Sequence, residues 1–139
     1  MRVETQLSAF IENRAGTLAA LTADLGRHGI SIRGLTIATL ADHAVVRLVV
    51  SAPRQALHLL GERGVLAVTS PVLAVEVPDA PGSLAQMARR LARAGVNIDY
   101  AYGSTPVNGG TCVTYVHVSD VKKARAALAP TPRRRRRRR

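Results

Sequence analysis

The sequence predicts an α+β protein made of two tandem βαββαβ units, with antiparallel sheets and helices on one face. Three observations carry that prediction. The chain repeats itself: Ile11 to Leu18 reads like Val77 to Leu84 at an offset of 66, and Ala44 to Ser51 reads like Cys112 to Ser119 at an offset of 68. Between these blocks Leu25, Gly29, Ile30 and Ile32 recur as Leu91, Gly95, Val96 and Ile98. Within each copy, helical spacing alternates with β-rich segments, and a fixed-period repeat is a signature of duplicated supersecondary units.

Copy one opens with a strand over Gln6 to Ile11, then turn residues Asn13 to Gly16. Leu18, Leu21, Leu25 and His28 recur at helical spacing, and Gly29 ends the helix as a C-cap. Ile30 to Leu40 is β-rich, Ala41-Asp42-His43 is a turn, and Ala44 to Val50 is the next strand. Pro53 suits the first turn of a helix whose apolar face is Ala56, Leu57 and Leu60, before a short last strand over Val65 to Thr69. Copy two follows the same order: a strand from Leu73 to Val77, a turn from Asp79 to Gly82, and a helix burying Leu84, Met87, Ala88 and Leu91. Strands over Val96 to Tyr102 and Cys112 to Val118 flank an Asn108-Gly109 hairpin signal, and a helix starts from Asp120. Pro130-Thr131-Pro132 cannot form a central strand, so the sixth element of copy two is missing and its edge is expected to need cover. The expected organisation is therefore residues 1–70, residues 71–129 with a truncated end, and a disordered Pro/Arg tail over 130–139. A unit of about 65 residues is marginal alone, and joining two edge to edge enlarges the core and hides sheet edges.

Composition narrows the function classes. The net charge of +11 is largely the block Arg133 to Arg139; without it 13 basic residues stand against 9 acidic ones. That block attracts phosphate, but it is read as a solvated end that binds nucleic acid only non-specifically. Cys112 is the single cysteine, which excludes an intrachain disulfide and fits a reducing, cytoplasmic setting. Glu12, Asn13 and Arg14 interrupt the first apolar segment, which argues against a signal peptide, and no apolar run is long enough to span a membrane. His28, His43, His58 and His117 fall on different elements without ligand spacing, Cys112 alternates with core positions, and no nucleophile–base set or phosphate-binding loop is present. The expectation is a protein with no catalytic residues, metal or cofactor. An RNA-binding module of the same element order would need aromatics on its central strands, where copy one offers Arg47 and Val49 and copy two Tyr115 and His117. Those two outer faces are also mixed enough to suggest that sheets pack together.

The feature with chemical content is the strand-to-helix turn, Asn13-Arg14-Ala15-Gly16 and Asp79-Ala80-Pro81-Gly82. A helix N-terminus presents free N–H groups and partial positive charge, and glycine there lets a carboxylate approach. Asn13 or Asp79 can accept hydrogen bonds from an α-ammonium, so the pair suits a zwitterionic amino acid. The bland alternative is helix capping in a tight turn.

Copy two's Asp79-Ala80-Pro81-Gly82-Ser83-Leu84 followed by Gly95-Val96-Asn97-Ile98 resembles the ACT domain. Copy one resembles it with two departures, Ala15 for proline and Ser31 for asparagine. The resemblance covers roughly residues 4 to 128 and extends to free-standing bacterial tandem-ACT proteins. It implies ferredoxin-like modules and an effector amino acid bound where one module's turn faces a neighbouring module's second strand. The implied ligand-binding positions are Asn13, Ala15, Gly16, Thr17, Leu18, Ser31 and Ile32 in copy one, and Asp79, Pro81, Gly82, Ser83, Leu84, Asn97 and Ile98 in copy two. The function expected is a regulatory amino-acid sensor, dimeric, whose ligand favours one arrangement of modules. The competing readings are a regulatory subunit docking on an amino-acid biosynthetic enzyme, and nucleic-acid binding through the arginine tail.

Overall fold

The computed structural model describes residues 1–104 and 111–130. Ten elements follow in order: β1 (Arg2–Glu12), α1 (Thr17–Arg27), β2 (Ile32–Leu40), β3 (His43–Val50), α2 (Pro53–Glu62), β4 (Ala67–Pro78), α3 (Ser83–Arg93), β5 (Ile98–Ser104), β6 (Thr111–Val118) and α4 (Val121–Leu128). The strands form one six-stranded antiparallel sheet in the order β2-β3-β1-β4-β6-β5. The predicted class and element order hold. The Asn108-Gly109 hairpin signal and the Pro/Arg tail from Thr131 onward lie outside the described residues.

The sheet places β1 and β4 at its centre. Val3 pairs with Leu73, Leu7 with Thr69 and Ala9 with Ala67, so alternate residues of both strands share one face. Leu7 and Ala9 pack with Leu21, Leu25, Ala56, Leu59 and Leu60 under α1 and α2. Leu73, Val75 and Val77 pack with Met87, Leu91 and Ala124 under α3 and α4. Two aliphatic cores thus lie side by side beneath helices on the same face.

The structure departs from expectation at the joint between the copies. The strands read separately as Val65 to Thr69 and Leu73 to Val77 are one continuous strand, β4. Its first half pairs with β1, and β6 joins on the other side only from Leu73 onward. Pro71 stands where just one side of β4 is paired, so its missing N–H need not remove a ladder bond. The same geometry answers the missing sixth strand. Its place beside copy two's first strand is central rather than peripheral, and the N-terminal half of β1 occupies it, with Arg2, Val3 and Glu4 paired to Ala74, Leu73 and Val72.

The helix-free face is the second departure. Val49, Val72, Ala74 and Tyr115 are buried there, with Tyr102 and Val113 against them. The sheet curls until edge strands β2 and β5 approach, and a Cβ built on Gly34 would lie 2.5 Å from a ring carbon of Tyr115. The outer faces of the two copies therefore pack on each other within a single chain. Fully buried Gln6 sits between the copies, donating through Nε2 to the Tyr100 hydroxyl and accepting from the Tyr102 hydroxyl at 2.7 Å. Burial pushes the Tyr102 hydroxyl's pKa well above its ordinary value, which keeps it a donor.

Candidate functional site

Both strand-to-helix turns form as expected. Gly16 and Gly82 occupy the left-handed region at φ +89° and +84°, directly before α1 and α3. A Cβ at either would meet nothing within 4 Å, so the turn needs glycine for its backbone conformation and not for space. Neither helix receives a side-chain cap, so the first-turn amides are not consumed by Asn13 or Asp79. Asn13 and Asp79 therefore do not cap these helices, and the first amide of each, at Thr17 and Ser83, donates within the turn to Arg14 O at 3.4 Å and Ala80 O at 3.2 Å.

The two turns differ in what their polar groups are doing. In copy one, Asn13 Nδ2 donates to Ala41 O at 3.0 Å, tying the turn to the β2–β3 connection. Thr17 Oγ1 lies 2.9 Å from Glu12 O and 2.6 Å from Arg14 O, so its hydroxyl proton is held by the turn itself. Leu18 and Ile32 pack on the core of copy one, and the Ser31 N–H donates to Ser51 Oγ at 2.9 Å. Gly16 and Ala15 complete that turn, exposed.

In copy two, Asp79, Ser83 and Leu84 line one cleft of about 420 Å3 with Val77, Pro78, Ala80, Ala101, Tyr102, Gly103, Ser104, Cys112 and Thr114. Asp79 is exposed and forms no ion pair with another described residue. Pro81 and Gly82 belong to the same turn without lining the cleft. Asn97 and Ile98 stand at the far end of β5. There the Asn97 N–H donates to Ser119 Oγ at 2.9 Å, its Nδ2 donates to Asp99 Oδ1 at 3.0 Å, and Ile98 packs on the core. Asp99 also receives His117 Nδ1 at 2.8 Å, and these contacts hold its carboxyl below the usual range.

Residues Ala101, Gly103, Cys112 and Thr114 of the cleft escape a reading based on motifs alone. Comparing the copies exposes them: the repeat puts Leu35 and Ile37 at the positions of Ala101 and Gly103, and Ala44 and Val46 at those of Cys112 and Thr114. Small β5 side chains leave room beside the second turn where copy one carries two large aliphatic ones. A second cavity of about 400 Å3 adjoins at Tyr102, Gly103 and Ser104 and reaches Arg33, Gly34 and Leu35 of β2. That cavity lies on the helix-free face with Val113 and Tyr115, on the opposite side of β5 and β6 from the cleft.

A tandem pair of ferredoxin-like units, each with a glycine turn leading from its first strand into its first helix, defines the class of fold. The chain belongs to the ACT domain pair family, whose model matches residues 1–129. It is similar to protein BT0572 from Bacteroides thetaiotaomicron, at 31% identity and TM-score 0.85, covering 91% of this chain and 86% of that one. It also shares its fold with the ligand-free regulatory subunit of aspartate kinase from Thermus thermophilus, at 20% identity and TM-score 0.69, covering 92% and 93% of the two chains. The corresponding subunit from Thermus flavus gives 18% identity and TM-score 0.62, covering 91% and 90%. Among curated proteins no sequence matches significantly. Among the described residues no helix is long and apolar enough to cross a membrane, and no cluster of His, Cys, Asp or Glu could hold a metal ion.

Proposed function

We propose that this protein is an amino-acid-binding regulatory module and that copy two's turn carries the ligand. One observation supports this most: a helix N-terminus without a side-chain cap, an Asp79 carboxylate with no ion-pair partner among the described residues and a mainly apolar cleft meet at one place. The ligand's carboxylate rests on the α3 amides, its ammonium on Asp79, and its side chain lies against Ala101, Gly103 and Leu84. Ser83 supplies a neutral hydroxyl beside the carboxylate. Copy one's turn, with Asn13 and Thr17 engaged and Leu35 and Ile37 in place of small residues, binds weakly or not at all. The division into units 1–70 and 71–129, a dimeric state and a cytoplasmic setting belong to the same proposal, which assigns no catalytic step. A second reading, a regulatory subunit docked on an amino-acid biosynthetic enzyme, is supported by the fold shared with aspartate kinase regulatory subunits.

The test is calorimetric titration of the full chain with each of the twenty amino acids, repeated on Asp79→Ala and Asn13→Ala. One or two amino acids should bind, with affinity lost at least tenfold in Asp79→Ala and unchanged in Asn13→Ala. At ligand one hundred times Kd the protein should gain about 2.7 kcal/mol of stability. Equal losses in both variants would move the site away from copy two. No binding by any amino acid at millimolar concentration would overturn the sensor reading.

A further inference from the structure

The two halves carry their charge differently. In copy one, α1 sets Asp24 against Arg27, and α2 carries Glu62 as well as Arg54. In copy two, α3 carries Arg89, Arg90 and Arg93, α4 carries Lys122, Lys123 and Arg125, and neither helix contains an acidic residue. None of these six cations forms an ion pair with another described residue.

Their placement makes one surface. Arg89, Arg90 and Arg93 border a single shallow depression with Gln86. Arg90 also faces the groove between α3 and α4 that Arg125 lines, and its Nη2 donates to Ala129 O at 2.8 Å, joining the end of α4 to α3. Arg89, Arg93, Lys122, Lys123 and Arg125 are all exposed. Like charges gathered on two adjacent helices repel one another, and a polyanion neutralises them.

We infer that the outer surface of α3 and α4 docks on the phosphate backbone of duplex DNA. The exposed side chains between the cations are Ala85, Gln86, Ala92 and Ala126. A protein partner needs large apolar or aromatic anchors at the centre of its interface; the one exposed large apolar residue of these helices, Leu84, lies at the N-terminal end of α3 beside the cleft and not between the cations. Single-stranded nucleic acid needs aromatic platforms for its bases, and neither helix has an aromatic residue. Arginine forks and lysines on a flat helical layer match backbone phosphates, which predicts binding without sequence preference. The surface shares α3 with the cleft, but none of its six cations lines the cleft, so it does not rest on the amino-acid reading.

The experiment is fluorescence anisotropy of the full chain with a labelled duplex of arbitrary sequence, across a salt series. The pair Arg93→Gln with Arg125→Gln is compared with the pair Arg33→Gln with Arg54→Gln, after melting curves show both fold. Each phosphate contact contributes about 0.9 to the slope of log K against log salt, so the first pair should flatten the slope by about 1.8. The second pair should leave it unchanged. Equal slopes for both pairs would assign any binding to Arg133–Arg139 and overturn the inference. Absence of duplex binding, or association only with anionic lipid vesicles, would overturn it too.

Discussion

Gly16 and Gly82 hold their turns in a backbone region that costs an L-residue roughly 1–2 kcal/mol, with open space where a side chain would go. Gly82→Ala should therefore lose about 1 kcal/mol in a denaturant melt, and Gly82→Asn less, because asparagine tolerates the left-handed region. Equal losses would mean that the turn is limited by contacts the structure does not contain. These glycines were legible from sequence because a turn glycine followed by helical spacing recurs in both copies. The cleft's other walls were not, because Ala101 and Gly103 matter through what they lack. A small residue on a strand has no signature until Leu35 and Ile37 are set beside it. Gly34 was hidden for a related reason: its importance depends on Tyr115, which is 81 positions away in sequence and reaches it only because the sheet curls. Gly34→Val should lose about 1–3 kcal/mol through overpacking against that ring, read as a lower denaturation midpoint.

At the scale of elements, α1 is tied to the end of α2 by one carboxylate. Asp24 is 8% exposed and receives Arg27 Nη2 at 2.7 Å, Arg63 Nε at 2.7 Å and Arg63 Nη2 at 3.2 Å. The hydrogen bond from Arg27 does most to hold its pKa below the ordinary 3.8, with Arg63 adding to it against the opposing effect of burial. A carboxyl whose pKa is depressed by folding stabilises the protein above its unfolded pKa, and that contribution disappears as pH falls through the folded value. The stability difference between wild type and Asp24→Asn should be constant from about pH 7 to 5 and shrink below about pH 4. A difference independent of pH would show that Asp24 acts by packing rather than charge. Most element boundaries followed from periodicity and end signals, as with Pro53 opening α2 and Asp120 capping α4 through Lys123 N at 3.0 Å. β4 was the exception. Ser70-Pro71 looks like a break in one dimension, and only the staggered pairing with β1 and β6 shows why the strand continues through it.

The whole molecule is less divisible than its sequence repeat suggests. A repeat reports that two units descend from one pattern, but it carries no information about which strands meet across the joint. Here the N-terminal half of β1 pairs with copy two's part of β4, and β4 itself runs from copy one into copy two, so the halves share the sheet's two central strands. On the helix-free face Gln6 of copy one is fully buried against Tyr100 and Tyr102 of copy two, and Arg47 lies 4.1 Å from the centroid of the Tyr100 ring. Neither half can unfold without exposing the other's β1–β4 edge and leaving buried hydroxyls unpaired. The chain should therefore unfold in a single transition, with fluorescence of the copy-two tyrosines and far-ultraviolet circular dichroism giving the same midpoint. Gln6→Ala removes both partners' hydrogen bonds at the joint and should lower stability by about 1–3 kcal/mol. It should lower both probes' midpoints together, because the bond it breaks belongs to neither half alone. Separate midpoints in the wild type would mean that the cores under α1–α2 and α3–α4 are independent units sharing a strand pair. Coincident midpoints that split only in Gln6→Ala would locate the coupling in the Gln6–tyrosine contact rather than in the β1–β4 ladder.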